Sequence, residues 1–287
     1  MRKNIKNFIY FILALLICFN ILAWQAVSDL NKPQLLEVIF LDIGQGDAIF
    51  IETPQQHQIL IDGGPSSKIL EKLGKNLPFW DRTIDLVILT HPEKDHLSGL
   101  IEVLKRYKIE NILWTGIKRD TPEYNEWLKL IKKEGAKIFI AKAGQKIVAQ
   151  KSIFQILNPS ENLEGETIKN SNDTSIVIKL VFGENSFLFT GDISKSVEKK
   201  FLNEKVDIDS DVLKVGHHGS KTSSSEDFLA VVSPIISVIS SGKNNSYGHP
   251  HQEVLDTLGR YGRILRTDLN SDIKIISNGE NYAISNL

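Results

Sequence analysis

The sequence predicts a layered α/β fold behind a membrane segment, and three observations predict it. Short apolar, β-branched runs alternate with amphipathic stretches over most of the chain. Polar loops carrying His and acidic residues follow the strand-like runs in both halves. A nearly unbroken apolar run, Phe8 to Trp24, stands ahead of all of it.

That apolar run reads as a membrane segment near the lower length limit for a spanning helix. Arg2, Lys3 and Lys6 precede it, which favours a cytoplasmic N-terminus and puts the rest of the chain outside the cytoplasm. A cleaved signal peptide with a secreted product is the alternative. Cleavage after Ala26 would set Trp24 where a small residue is needed, which favours an uncleaved anchor. Leu16-Ile17-Cys18 is a poor lipoprotein signal. Residues 1–27 are assigned to the anchor, 28–35 to a polar linker with Pro33, and 36–287 to the globular domain.

Composition bounds the function. The 287 residues are 41% hydrophobic and 24% charged, an ordinary globular balance. A net charge of −1 excludes a global basic field for nucleic acid, so polyanion binding needs a local patch. The one cysteine, Cys18, excludes an intrachain disulfide and a Cys-rich zinc site. Metal binding therefore falls to His and carboxylates.

Within the domain, Leu36–Leu41, Ala48–Glu52 and His57–Ile61 read as strands, with Gly44 and Gly46 marking a tight turn. Asp62-Gly63-Gly64 ends the third. Ser66–Leu73 reads as a helix and Ile84–Leu89 as a buried strand. The loop Thr90 to Gly99 follows, and Leu97, Leu100, Ile101 and Leu104 are spaced as an amphipathic helix. Lys108–Trp114 is a strand, Thr121–Glu134 a helix opened by Thr-Pro, Ala136–Ile140 a strand and Gln145–Leu157 a hairpin. After the turn-like Ile168–Thr174, a hairpin is expected over Ser175–Phe182 and Ser186–Phe189. Ser194–Leu202, Ser223–Val231 and Pro250–Tyr261 read as helices. Val212–Val215, Ile235–Ser240, Ile264–Arg266 and Ile273–Ile276 read as strands.

The chemistry gathers at strand ends, where layered α/β folds bind ligands. His91, Glu93, Asp95 and His96 crowd into six residues, and Asp192, His217 and His218 follow later strands. Imidazole and carboxylate without thiolate suit Zn, Mn, Fe or Mg. A carboxylate such as Asp192 can bridge two ions, an arrangement suited to phosphoryl displacement. Asp62 is either a turn residue or a group that orients a loop His from behind. Hydroxyls and ammonium groups at Ser220, Lys221, Thr222 and Ser223, with Lys214, Lys243 and Asn245, suit a phosphate oxyanion. The Gly216–Ser223 loop is expected to open a helix with its amides toward that phosphate. His249 and His251 are substrate-side or surface residues, and His57 an ordinary strand residue.

His91-Pro92-Glu93-Lys94-Asp95-His96 resembles the His-x-His-x-Asp-His signature of the metallo-β-lactamase fold. Asp42-Ile43-Gly44-Gln45-Gly46-Asp47 and Asp62-Gly63-Gly64 precede it, and Thr190-Gly191-Asp192, Lys214-Val215-Gly216-His217-His218-Gly219-Ser220 and Gly248-His249-Pro250-His251 follow it. Together they resemble the hydrolase domain of ComEC-type DNA-uptake proteins, from Leu36 to the end. The resemblance implies a four-layer αββα sandwich with two divalent ions at one edge. It implies His91 and Glu93 on one ion, Asp95, His96 and one of His217 or His218 on the other, with His218 favoured because a His directly before Gly-Ser recurs there in related folds, and Asp192 between them. It leaves His217 facing substrate and puts Asp47, Asp62 and Asn172 behind the ligands. Glu93 and Asn172 stand where zinc hydrolases of this fold have His, which shifts the metal expectation toward Mn or Mg.

The function implied is that of a membrane-anchored, extracytoplasmic phosphodiesterase, a DNase using metal-bound hydroxide, with Asp95, Asp192 and His217 catalytic. The alternatives are another phosphoester, lipid or wall-polymer substrate, or a non-catalytic binding subunit. One anchor cannot form a channel, so the chain would act beside a separate DNA-translocation channel protein or in a role unrelated to uptake. Imidazole ligands must be neutral, so activity should fall below about pH 6.5.

Overall fold

The structure is a computed structural model describing residues 2–30 and 35–286. Residues 31–34 of the expected linker lie outside the described residues. The chain divides into two compact units, residues 1–34 and 35–287.

The first unit is one helix, α1 (Arg2–Leu30), which continues through the first residues assigned to the linker. Its segment Lys6–Trp24 has a mean hydropathy of 2.1 and buries no side chain within the protein, long and apolar enough to cross a bilayer.

The second unit is a four-layer αββα sandwich. Its elements in chain order are β1 (Leu36–Phe40), β2 (Ile49–Glu52), β3 (Gln58–Ile61), α2 (Lys68–Asn76), β4 (Thr83–Leu89), α3 (Lys94–Leu104), β5 (Lys108–Trp114), α4 (Pro122–Glu134) and β6 (Lys137–Ile140). There follow β7 (Lys146–Ala149), β8 (Ser152–Asn158), β9 (Val177–Phe182), β10 (Asn185–Phe189), α5 (Lys195–Glu204), β11 (Val212–Lys214), α6 (Glu226–Val232) and β12 (Ile236–Ile239). The chain closes with α7 (Gln252–Leu258), β13 (Arg263–Arg266), α8 (Thr267–Asn270), β14 (Ile273–Ser277) and β15 (Tyr282–Asn286).

Eight strands form one sheet in the order β15-β14-β1-β2-β3-β4-β5-β6, and seven form the other in the order β13-β12-β11-β10-β9-β8-β7. Val38, Phe40, Ile88, Phe187 and Phe189 fill the space between the sheets. The alternate residues Ile39, Val87 and Leu89 pack under α2, α3 and α4, and Leu188 packs under α5 and α6. Both faces of these strands are covered, so they read as continuous apolar runs rather than alternating ones. β3 to β6 run parallel, as do β10 to β13. Parallel strands present their carboxyl ends at one edge. The loops after β3, β4, β10, β11 and β12 therefore meet at a common cleft.

The boundaries differ from the sequence reading where tertiary contacts intervene. α6 begins at Glu226 rather than Ser223, because the Glu198 carboxylate of α5 takes the Ser224 and Ser225 amides (2.5 and 2.8 Å). The amides at that helix start are thus committed to Glu198. α2 is displaced to Lys68–Asn76, α7 is shorter than Pro250–Tyr261, and β15 was not anticipated. β15 is a fringe strand, exposed in alternation at Ala283 and Ser285, and it pairs only with β14.

The Asp62-Gly63-Gly64 turn rests on the backbone of α3. Gly63 N–H donates to the His96 carbonyl and Gly99 N–H to the Gly64 carbonyl, both at 2.8 Å. A Cβ on Gly99 would lie 1.8 Å from the Gly63 carbonyl oxygen. That approach exists only because both positions are glycine. Gly99→Ala must part the turn from the helix and should cost about 1–3 kcal/mol or more. Equilibrium urea unfolding reads this, and an unchanged midpoint would show that the two backbones have room to spare.

Candidate metal centre

β4 ends at Leu89 and delivers Thr90, His91 and Glu93 before α3 begins at Lys94. Glu93 is the N-cap residue but its side chain makes no cap bond, so the carboxylate is free to reach elsewhere. Thr190-Gly191-Asp192 follows β10. After β11 the backbone turns sharply, with His217 and His218 both left-handed (φ 48° and 55°). Such residues cost about 1–3 kcal/mol each and concentrate at functional sites.

The side chains converge on Asp192, which is almost fully buried. Its Oδ2 lies 3.4 Å from His96 Nε2, 3.4 Å from His218 Nε2, 3.9 Å from His217 Nε2 and 4.0 Å from His91 Nε2. Asp95 Oδ2 lies 3.4 Å from His218 Nε2. The ligand atoms of Asp95, His96, Asp192 and His218 all fall within 4.8 Å of one another. The cleft above them is about 190 Å³, with Gln45, Glu93, Asn172, Tyr247 and His249 on its walls.

The far ring nitrogens are each fixed. His96 Nδ1 donates to Asp62 Oδ2 at 2.8 Å. His218 Nδ1 donates to the Ser240 carbonyl at 3.0 Å, with Asp47 Oδ1 at 3.3 Å. Thr90 donates its hydroxyl to Asp62 (2.6 Å), so it accepts from His91 Nδ1 at 3.0 Å. All three imidazoles therefore turn Nε2 toward the cleft. These Nε2 atoms and Asp192 Oδ1 are buried without hydrogen-bond partners. An orphaned buried polar atom costs about 1–3 kcal/mol, so four at one point call for a shared partner. The donor set fits a divalent cation, and the bonds behind it are those that orient ligand imidazoles.

Charge follows from the same contacts. Burial opposes a charged His96, but Asp192, Asp62 and Asp95 outweigh it and hold the imidazole well above its usual range. His218 is raised likewise, burial being outweighed by Asp192 and Asp47. Asp192 is held well below the carboxylate range, because His218 and His96 outweigh its burial. His91 is pushed down to about 3 by burial and by the neighbouring His96 cation. His249 falls to about 4, chiefly by burial and then by His217, His218 and His251. Burial also lowers His217.

Glu93 stands apart from this cluster. Its Oε1 accepts from the Arg119 guanidinium and from the Ser171 hydroxyl. Asn172 Nδ2 lies 3.5 Å from His217 Nε2. The His91 side of the cleft therefore offers one unpartnered imidazole and a carboxylate already engaged. Asp47, beneath His218, pairs with Lys214 at 2.7 Å. Lys214 is fully buried there, which removes it from the oxyanion contacts expected of it.

Thr222 donates to Ser220 Oγ and accepts from His217 Nδ1, both at 3.0 Å, which steadies His217 at the mouth of the cleft. Lys221 is exposed beside them. Asn245 is spent inside its own loop, accepting from the Tyr247 and His249 amides and donating to the Gly242 carbonyl. Sequence reasoning missed Arg119, Ser171 and Ser175. Ser175 Oγ accepts the Asp192 amide at 3.1 Å. The available signal was position, since Arg119 follows β5 as the other site residues follow their strands.

The sequence pattern of the metallo-beta-lactamase superfamily matches residues 41–243. The chain belongs to the metallo-beta-lactamase superfamily. It is 36% identical over 256 residues to ComE operon protein 3 of Bacillus subtilis (strain 168), covering 83% of this chain and 32% of that protein. It is 33% identical over 238 residues to Competence protein ComA of Neisseria gonorrhoeae, covering 81% of this chain and 31% of that one. The chain thus spans about a third of the length of these relatives. Among solved structures, the metallo-beta-lactamase fold protein YhfI from Bacillus subtilis aligns at TM-score 0.58 and 14% identity, over 85% of this chain and 100% of that one. That likeness is one of fold.

Two predictions follow from the donor set. Asp62→Asn should lower affinity for Mn or Zn about 10–100-fold, as read by calorimetric titration of the metal-free protein. Unchanged affinity would show that Asp62 does not orient the ligand. A cation must also displace protons from His96 and His218, which are raised in the metal-free protein. Affinity should therefore fall as pH falls, and loading at neutral pH should release protons. The measured binding enthalpy should then depend on the ionisation enthalpy of the buffer; no such dependence would place the ligands elsewhere.

Proposed function

We propose that this chain is a membrane-anchored, metal-dependent phosphodiesterase acting on DNA outside the cytoplasm. The observation that carries the proposal is the convergence of three partnerless Nε2 atoms on Asp192, beside Asp95, in an open cleft. A bound cation would supply Lewis acidity and a lowered pKa of water. Asp95, His96, Asp192 and His218 would hold it. A second ion would draw on His91 and on Glu93, for which it must compete with Arg119.

His217 is the proposed base. Its Nδ1 proton goes to Thr222, whose own proton goes to Ser220, so Nε2 is left as an acceptor facing the cleft. Burial lowers its pKa, which favours the neutral, proton-accepting form of the imidazole. Asn172 lies beside that nitrogen. Ser220, Thr222, Lys221 and His249 form the proposed substrate wall, with Asn245 shaping the loop that carries His249.

DNA is favoured as substrate by the relative whose name records competence. The basic residues in the first turns of α1, Arg2, Lys3 and Lys6, support an extracytoplasmic domain. A separate DNA-translocation channel protein is the proposed partner. A second reading, a binding subunit without turnover, is favoured by one observation, the engagement of Glu93 by Arg119 and Ser171.

Full-length protein in detergent, loaded with Mn, should cleave single-stranded DNA. Asp95→Ala and Asp192→Ala should each lower the rate by more than about 100-fold, beyond what losing a supporting partner costs. Rates undiminished from those of the unsubstituted protein in both variants would overturn the assignment. Faster turnover of phospholipid head-group diesters than of DNA would move the substrate class, and bound metal with no turnover of either would favour the binding subunit.

A further inference from the structure

We infer that the loop Pro78–Arg82 is a lipid-contacting surface that turns the domain with its cleft away from the membrane. Phe79 and Trp80 form an edge-to-face pair with centroids 4.9 Å apart. They are 81% and 73% exposed, although the domain has a large core in which to bury them. The loop is not loosely held. Asp81 accepts from Gln58 Nε2 at 2.7 Å and from the Thr83 amide at 3.0 Å, and Arg82 lies over the Tyr107 ring. A pinned loop therefore holds two aromatics out into solvent, at a cost that an apolar partner would relieve.

The neighbouring charge selects the partner. Arg82, Lys105, Arg106 and Lys108 are exposed around the loop, and the Lys108 amide bonds to the Arg82 carbonyl. The acids near them are Asp81, whose oxygens are engaged within the loop, Glu102, which bridges Lys105 and Arg106, Glu134, which accepts the Ile109 amide, and Glu52, close to Asp81. Lys105 and Arg106 pair with Glu102, while Arg82 and Lys108 have no ion pair among the described residues. Phe and Trp beside Lys and Arg are the residues that settle at an anionic membrane interface.

Topology supplies the second argument. β1 is antiparallel to β2, β2 to β3, and β3 is parallel to β4. The starts of β1 and β4 therefore lie at one end of the sheet, and the metal-site loops after β3 and β4 lie at the other. The chain enters the domain at β1, downstream of the membrane-spanning helix. The aromatic loop thus occupies the end of the sheet at which the tether arrives. This rests on the reading that α1 is inserted in a bilayer, which flotation of the protein with vesicles after alkaline extraction reports separately.

The test uses the full chain with Cys18→Ser, reconstituted into phosphatidylcholine–phosphatidylglycerol vesicles. A bimane label goes on Pro78→Cys or, at the cleft end, on Leu269→Cys. The label at 78 should lose most of its fluorescence to nitroxide lipids whose spin label lies about 5–10 Å below the surface, and the label at 269 should keep it. Phe79→Ser with Trp80→Ser should restore the signal at 78, and Lys105→Gln with Lys108→Gln should weaken quenching in the anionic vesicles. Equal quenching at 78 and 269, or none at 78 in protein that floats with the vesicles, would overturn the inference. So would shielding of the label at 78 by single-stranded DNA in neutral vesicles, which would make the patch a nucleic-acid surface. Quenching that grows with protein density would make it a self-association surface and would also overturn it.

Discussion

The buried Asp62 carboxylate is the contact on which the rest of the site depends. It accepts the Thr90 amide, the Thr90 hydroxyl and His96 Nδ1, and through Thr90 it sets His91 as well. One carboxylate thereby orients two imidazoles on the neighbouring strand-end loop. Its burial is costly and raises its own pKa despite those partners. The cost is supportable because β3 and β4 are parallel neighbours, so the end of one strand meets the end of the other. The two glycines after Asp62 then dock on α3 and set the distance.

The two sides of the cleft are built differently. Around His218, carboxylates face imidazoles whose far nitrogens are already satisfied, which leaves a concentrated set of donors. Around Glu93, the carboxylate meets a guanidinium, and an ion arriving there must replace a charged hydrogen bond instead of filling an unmet need. The physical expectation is unequal affinity across the cleft. The substitution of Glu for His at this place changes the chemistry because Arg119 lies within reach of it, and not only because oxygen replaces nitrogen.

Much of the architecture was legible because the central strands of both sheets are covered on both faces. β4, β10 and β11 are short apolar runs ended by polar motifs, and the pattern needs nothing distant to be read. The cluster of His91, Asp95, His96, Asp192 and His218 was legible from strand-end placement and from the family motifs. What escaped depends on partners remote in sequence. Arg119 is one basic residue in a charged loop until Glu93 is placed beside it. Lys214 reads as an oxyanion contact until Asp47 is seen to bury it. The start of α6 is set by Glu198, which no local propensity encodes. β15 needed β14 as its template.

In the His217–His218 pair the backbone gives opposite settings to adjacent side chains. In an extended strand, neighbours point to opposite faces, and one of these two would leave the cleft. Two left-handed residues followed by Gly219, also at positive φ (82°), keep both on the same side. His218 then turns inward, anchored on the Ser240 carbonyl, while His217 stays at the mouth on Thr222. The strain is offset by those bonds and by the packing of Gly219 against Pro250, where a Cβ would lie 2.5 Å from the proline ring. A buried imidazole suited to a cation and a partly exposed one suited to a proton thus come from consecutive positions. Neither setting can be moved to the other residue without undoing the turn.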